Sequence, residues 1–292
     1  VTSRSDGYVG GLVGYYRDRQ ARDDSEIANV SAAGDVTGTH HFVGGLIGRA
    51  QSDETNHQTT ITDAHAQGDV KLNSPSANSY TGGLIGYITD AGDITDVSAT
   101  GRVDAGGNEV GGLIGRLDHE RHGSRNDERY GIDGATASGA VSTDGRYVGG
   151  LIGRHRFAKA VANATAAGDV TAGGDQVGGL IGKYRGSVIR DSAATGHVIS
   201  RSDGYVGGLV GYYRDREGRT DSVITNVSAA GDVTGTHHFV GGLIGQAQSD
   251  ENNHQTTITD AHAQGDVTVT STDTNGYTGG LIGYITSAGD IT

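Results

Sequence analysis

Hydrophobic and polar positions alternate with a period of two in short runs that recur along the whole chain. One run reads Ile27, Asn29, Val30, Ala32, Gly34, Val36; others read Ile94, Asp96, Val97, Ala99, Gly101, Val103 and Val161, Asn163, Ala164, Ala166, Gly168, Val170. Period two marks a strand with one buried face. An Ala stands two positions before the Gly of each run, at Ala32, Ala66, Ala99, Ala137, Ala166, Ala194, Ala229 and Ala263. A face lined by such small side chains requires a narrow interior. Helical spacing fits none of these runs, so the expected elements are short strands.

Each run leads to a second pattern, Gly-Gly-Leu-(Ile or Val)-Gly. Taking its second Gly as a marker, copies fall at Gly11, Gly45, Gly83, Gly112, Gly150, Gly179, Gly208, Gly242 and Gly280, with spacings of 34, 38, 29, 38, 29, 29, 34 and 38 residues. A pentapeptide repeated nine times is the mark of stacked similar coils. Length varies at fixed points of the frame, as loops on the edge of a solenoid would. The shortest coil, 29 residues, holds three short strands and three corners. On a larger scale residues 1–95 recur at 198–292 without a gap, with 16 of the 95 positions differing. The expected organisation is one continuous solenoid over 1–292, a 197-residue super-repeat (1–197) followed by a partial second copy (198–292), cut from a longer array.

The fold class expected is therefore an all-β, right-handed parallel β-solenoid of about nine coils, three strands each, since crossovers between parallel strands are right-handed. At roughly 4.8 Å per strand spacing, nine coils make a rod on the order of 40 Å long. The Asn, Asp or Gly ahead of each run sits where the chain turns, because these residues tolerate left-handed backbone. The sequons at Asn29, Asn163 and Asn226 read as corners, since Asp63, Asp96, Asp191 and Asp260 hold the same slot. Of the adjacent Leu and Ile/Val, a straight strand would bury only one; either the chain bends there or one forms an outer stripe.

Composition narrows the classes. The 52 Gly with a single Pro, Pro75, argue against collagen and against a disordered linker. No Cys is present, which excludes disulfides and Cys-based zinc sites. The formal charge of −13 argues against nucleic acid and anionic membranes as partners, and no apolar run is long enough for membrane insertion.

If coils stack in register, the residue after the closing Gly forms a column: Tyr15, Arg49, Tyr87, Arg116, Arg154, Lys183, Tyr212, Gln246, Tyr284. A second column precedes the marker: Tyr8, Phe42, Tyr80, Glu109, Tyr147, Gln176, Tyr205, Phe239, Tyr277. Cation–π contacts are expected along these columns. Together they form either a side-chain ladder that stabilises the stack or a shallow aromatic groove for sugar rings. The candidate binding surface comprises Tyr15, Tyr16, Arg17, Arg49, Tyr87, Arg116, Arg154, Tyr212, Tyr213, Arg214 and Tyr284. The loops Tyr15–Arg19, Arg49–Asn56, Arg116–Tyr130 and Tyr212–Arg216 carry most of it.

Outward of each Gly-x-Val lies a column with Asp35, Asp69, Asp169, Asp232 and Asp266. Calcium would suit stacked carboxylates, yet the Gly-rich nonapeptide of calcium-binding β-rolls is absent, so the reading is a solvated face and no cofactor. The 12 His, including the pairs His40-His41 and His237-His238, match no metal-binding spacing and read as solvated loop residues.

The phrase Val-Gly-Gly-Leu-Ile-Gly at Val43–Gly48 and Val148–Gly153 resembles the GLUG motif, with Thr81 and Thr278 replacing the leading Val in two copies. The motif recurs in large bacterial surface and secreted proteins, including filamentous-haemagglutinin-like adhesins. The resemblance implies an extracellular or cell-surface β-solenoid and brings no catalytic residue with it. The expected role is structural and adhesive, a stalk or filament contacting matrix polysaccharide, a host or cell surface, or other copies of itself. A carbohydrate-active β-helix enzyme, lyase or hydrolase, is the alternative; it would need one unique cluster of acids and bases. Ice binding would need a flat Thr array, against which the charged loops count.

Overall fold

The computed structural model describes all residues except 5–6, 19–24, 40, 53–57, 74–77, 119–130, 215–221, 250–254, 272–275 and 287, and of residues 157–159 and 288–289 the backbone alone. Among the described residues there is no helix, and every strand pairing is parallel. Three walls run lengthwise. A short wall of nine strands, Tyr8–Gly10 to Tyr277–Gly279, carries the residues ahead of each marker. A long wall begins at the Ile/Val of the marker and continues through the alternating run, as in Ile181–Ala194. A third wall of eight strands, Val36–Gly38 to Val267–Val269, holds the Gly-x-Val end. Among the described residues the nine markers thus enclose eight windings closed on all three walls, against the nine or so expected, because no third-wall strand follows the last marker there.

The corners follow the chemistry of their residues. Asn29, Asp63, Asp96, Gly134, Asn163, Asp191, Asn226 and Asp260 all have φ between 49° and 67°. Left-handed backbone costs most L-residues about 1–2 kcal/mol, and Asn, Asp and Gly least. Side chains also link corners: Asn163 Nδ2 donates to Asp133 Oδ1 at 2.6 Å, and Asn226 Nδ2 to Asp191 Oδ1 at 2.7 Å. The sequon asparagines are therefore part of the turn.

The Gly-Gly pair serves both a bend and a close approach. A Cβ on Gly45 would stand 2.1 Å from the Gly83 carbonyl oxygen and 3.0 Å from Ala66 Cβ. The recurrent Ala of the long wall and the marker Gly are thus opposing partners across a narrow core. The bend also places the following two residues inside together: Leu46 and Ile47 are both fully buried. Their amides donate to one carbonyl, that of Leu84, at 2.9 and 3.0 Å. The question of an outer aliphatic stripe is settled in favour of the bend. Leu, Ile and Ala fill the larger core cluster, and a Val-rich cluster lies between the short and third walls.

Candidate functional site

The column after the closing Gly is continuous. Tyr15 pairs with Arg49, Arg49 with Tyr87, Tyr87 with Arg116, Arg116 with Arg154, Arg154 with Lys183, Lys183 with Tyr212, Tyr212 with Gln246 and Gln246 with Tyr284. The column of the short wall stands beside it, with Tyr8, Phe42 and Tyr80 in register at one end and Tyr205, Phe239 and Tyr277 at the other. Rings stack within that column, Tyr8 on Phe42 at 5.3 Å, Phe42 on Tyr80 at 4.9 Å, and Tyr205 on Phe239 at 5.3 Å. They also touch across the two columns, as in Tyr8–Tyr15 at 4.8 Å and Tyr205–Tyr212 at 5.2 Å.

These centroid separations match the spacing of neighbouring strands, so ring faces cover one another and present edges and hydroxyls outward. A sugar ring packs on a free aromatic face, and inside the ladder those faces are occupied. The double column is therefore a stabilising ladder first. Arg49 shows its logic: its guanidinium carbon lies 5.7, 5.5, 5.5 and 5.3 Å from the rings of Tyr8, Tyr15, Phe42 and Tyr87. Where rings give out, charge takes over. Arg116 contacts Asp118 at 2.5 Å and Glu109 at 3.4 Å, and Arg154 contacts Glu109 at 2.9 Å. Burial pushes the Glu109 carboxyl up, while Arg116 and Arg154 pull it back down.

Not all of the expected surface residues are exposed: Tyr212 and Tyr213 are buried, Tyr212 beneath its neighbours Tyr205 and Lys183 in the ladder, and Tyr16 is half-buried. Tyr213 is fully buried, stacked on Tyr184 at 5.7 Å, and its hydroxyl donates to the Gly186 carbonyl at 3.3 Å. Tyr16 packs partly buried against the same core cluster. For Tyr213 and Tyr16 the cause is strand alternation: if the residue after the closing Gly lies outside, the next must point in. Arg17 and Arg214, one further on, return to the outside. Of the four loops, residues 19, 53–56, 119–130 and 215–216 lie outside the described residues.

Alternation also brings together a cationic stripe in mid-rod. Arg154 pairs with Lys183, and two positions along the same strands Arg156 pairs with Arg185 and Arg185 with Arg214. Lys183 lies between two rings, 5.2 Å from the Tyr147 centroid and 4.9 Å from Tyr212. Its ammonium is pushed down to about 8, by burial first and then by Arg154, with Arg214 and Arg185 adding to the effect. Five cations crowd three successive windings of a chain whose formal charge is −13. The sequence places Arg154 and Lys183 in one column and Arg214 on the candidate surface, whereas Arg156 and Arg185 were missed. The signal was available as a second column two residues beyond the first.

The family model of the GLUG motif matches residues 5–37, 77–104 and 202–234. Each matched segment holds one marker and one left-handed corner: Gly11 with Asn29, Gly83 with Asp96, Gly208 with Asn226. The chain carries GLUG-motif repeats. One GLUG unit thus corresponds to one winding. "Halomucin" of Haloquadratum walsbyi is 42% identical over 121 residues, which are 40% of this chain and 1% of that protein. The chain matches a very small part of that relative. No solved structure matches it.

The Asp column of the GLUG windings has partners within the chain. Asp35 Oδ1 accepts the Asp69 amide at 2.9 Å, Asp69 Oδ1 the Arg102 amide at 2.8 Å, Asp169 Oδ1 the His197 amide at 2.8 Å, and Asp232 Oδ1 the Asp266 amide at 2.9 Å. These exposed carboxylates fasten each winding to the next by charge-assisted hydrogen bonds. The histidines differ from the expected solvated set. His155 is fully buried against Tyr184, with centroids 5.3 Å apart, and His237 is buried at a corner.

Proposed function

We propose that this chain is a rigid segment of a much larger extracellular or cell-surface protein, and that its cationic stripe contacts anionic polysaccharide. The observation carrying the first half is the continuous parallel pairing of strands over nine markers, in register throughout the short wall, a geometry in which stability adds winding by winding. The GLUG match and the much longer halomucin relative support a repeat region of a surface protein. The stripe of Arg154, Arg156, Lys183, Arg185 and Arg214 supports the second half. Its cations recur at strand spacing, which suits a polymer bearing regularly placed carboxylate or sulfate groups. The best-buried carboxylates, Glu109 and Asp118, are engaged by Arg116 and Arg154, a structural duty that gives the enzymatic alternative no support.

Small-angle scattering of proteins holding one and two super-repeats tests the rod: the maximum dimension grows by roughly 4.8 Å per winding, and a compact particle defeats it. Retention on immobilised anionic polysaccharide tests the stripe. K183S/R185S should elute at clearly lower salt than the parent, since attraction between these half-buried cations and an anionic polymer is weakened by salt and the variant has less of it to lose. Equal elution of the two removes the polysaccharide reading and leaves the rod standing.

A further inference from the structure

Away from the cationic stripe, three side chains converge at one corner of the rod. Asp203, His237 and His238 each offer a donor atom, and these atoms lie within 4.8 Å of one another. Register explains the convergence. Gly204 pairs with His238, so Asp203 and His237, 34 residues apart in sequence, are neighbours across a single strand spacing. Adjacent residues on an extended strand would point to opposite sides. His238 has a φ of 70°, which breaks that alternation, and its ring lies 4.4 Å from that of His237 at 73°. Thr236 donates its hydroxyl to Asp203 Oδ1 at 3.1 Å and so orients the carboxylate, as second partners of ligating groups do.

We propose that Asp203, His237 and His238 form a binding site for a divalent first-row transition metal ion of the zinc, nickel or copper type. Two imidazole nitrogens and one carboxylate oxygen suit these ions, whereas calcium and magnesium select oxygen donors. Tetrahedral zinc with bonds of about 2.0–2.1 Å sets its ligands roughly 3.3 Å apart. Closing from 4.8 Å is within the side-chain rotation of Asp203 and His238, both exposed, around the buried His237. Three protein ligands leave an open position for water. The same trio recurs in the first copy as Asp6, His40 and His41, again 34 residues from Asp to the first His. It is untouched by the 16 differences between the copies, and His41 has a φ of 64°. Asp6 and His40 lie outside the described residues.

The test is calorimetric titration of the whole chain with Zn²⁺ alone, for the parent, H238A and D203N. The parent should show saturable binding, and H238A should lose one ion per chain. D203N, a change at an exposed side chain that spares the fold, should weaken that ion by about tenfold or more. In NMR spectra Zn²⁺ should shift the ring protons of His237 and His238 before those of His65 or His197. Absence of saturable binding in the parent overturns the proposal. So do unchanged stoichiometry in H238A together with unchanged affinity in D203N.

Discussion

The two copies of the super-repeat contain a built-in substitution experiment. Arg49, ringed by Tyr8, Tyr15, Phe42 and Tyr87, corresponds to Gln246 in the second copy, where the rings are Tyr205, Tyr212, Phe239 and Tyr284. The second cage is intact: Tyr205 lies 5.2 Å from Tyr212, and Phe239 lies 5.0 Å from Tyr284. Gln246 is only 8% exposed, and its Oε1 is buried without a hydrogen bond. Replacing Gln246 by Arg restores the cation. One exposed cation–π contact contributes about 0.5–1 kcal/mol and a desolvated one about 2; four rings sharing one charge do not add, so about 1–2 kcal/mol gross is expected. Removing the unsatisfied amide oxygen adds little, because an Arg at this place leaves its own Nε buried without a hydrogen bond, as Arg49 does. Desolvating the guanidinium offsets part of this, as it already does at Arg49. A net gain of about 1 kcal/mol follows for Q246R and a loss of about 1 kcal/mol for R49Q, both on the cation–π scale. Urea unfolding followed by tyrosine emission suits a chain with 13 Tyr and no Trp. Hydrogen exchange of the strands Val210–Arg214, Ile244–Gln248 and Ile282–Thr286 localises the change. Destabilisation by Q246R, or protection gained elsewhere but not in those strands, refutes the ladder argument.

Further outcomes follow from the corners, the core and the stripe. G45A should cost about 3 kcal/mol or more, because its Cβ would lie 2.1 Å from the Gly83 carbonyl oxygen, backbone against backbone; intact proteolytic resistance around Gly45 would contradict this. Asp191 has its carboxyl held below the usual range by hydrogen bonds from Asn226 and Arg190. Its stabilising contribution is therefore present above the unfolded carboxylate value and lost as pH falls through the folded one. N226A should raise its NMR titration midpoint; an unmoved midpoint refutes the link between corners. Lys183, at about 8 against an ordinary 10.5, binds fewer protons folded than unfolded in between. Stability should rise from pH 8 to 10.5 and K183M should flatten that slope, read from urea midpoints.

Most of the fold was legible because its determinants are local and repeated. The alternation of Val30, Ala32 and Gly34 defines a strand, and Asn29 or its equivalents define the corner. Column membership followed from marker spacing, and pairing of Tyr15 with Arg49 and of Arg49 with Tyr87 bears out the alignment. Facing was harder. Leu46 and Ile47 are both inside because the backbone bends at Gly-Gly, which alternation alone does not reveal. Tyr213 was misplaced for the opposite reason: alternation does hold beyond the bend, and Tyr-Tyr looks like one surface feature when its two rings point to opposite sides. The Asp203–His237–His238 cluster escaped notice because no short motif spans 34 residues. One winding does span them, so a search for ligands one coil length apart would have found it.

Two kinds of left-handed backbone separate structural strain from strain at the candidate surfaces. At the eight corners the residues are Asn, Asp or Gly, the types that tolerate it, and the geometry recurs in every complete winding. Glu109, Tyr147 and Gln176, with φ of 54°, 60° and 62°, are long or bulky, and such residues hold this conformation only where surroundings over-determine it. All three immediately precede strands of the short wall, in windings 29 or 38 residues from the next marker, and two contact the cationic side chains directly: Glu109 binds Arg154, and the Tyr147 ring sits against Arg154 and Lys183. Glycine at Tyr147 would relieve the backbone by about 1–2 kcal/mol while removing the ring beside Lys183. If the ring contributed nothing, Y147G would be more stable than the parent. A less stable Y147G, with the Lys183 ammonium returned toward its ordinary value, would show that the strained turn exists to hold an aromatic wall against the cations.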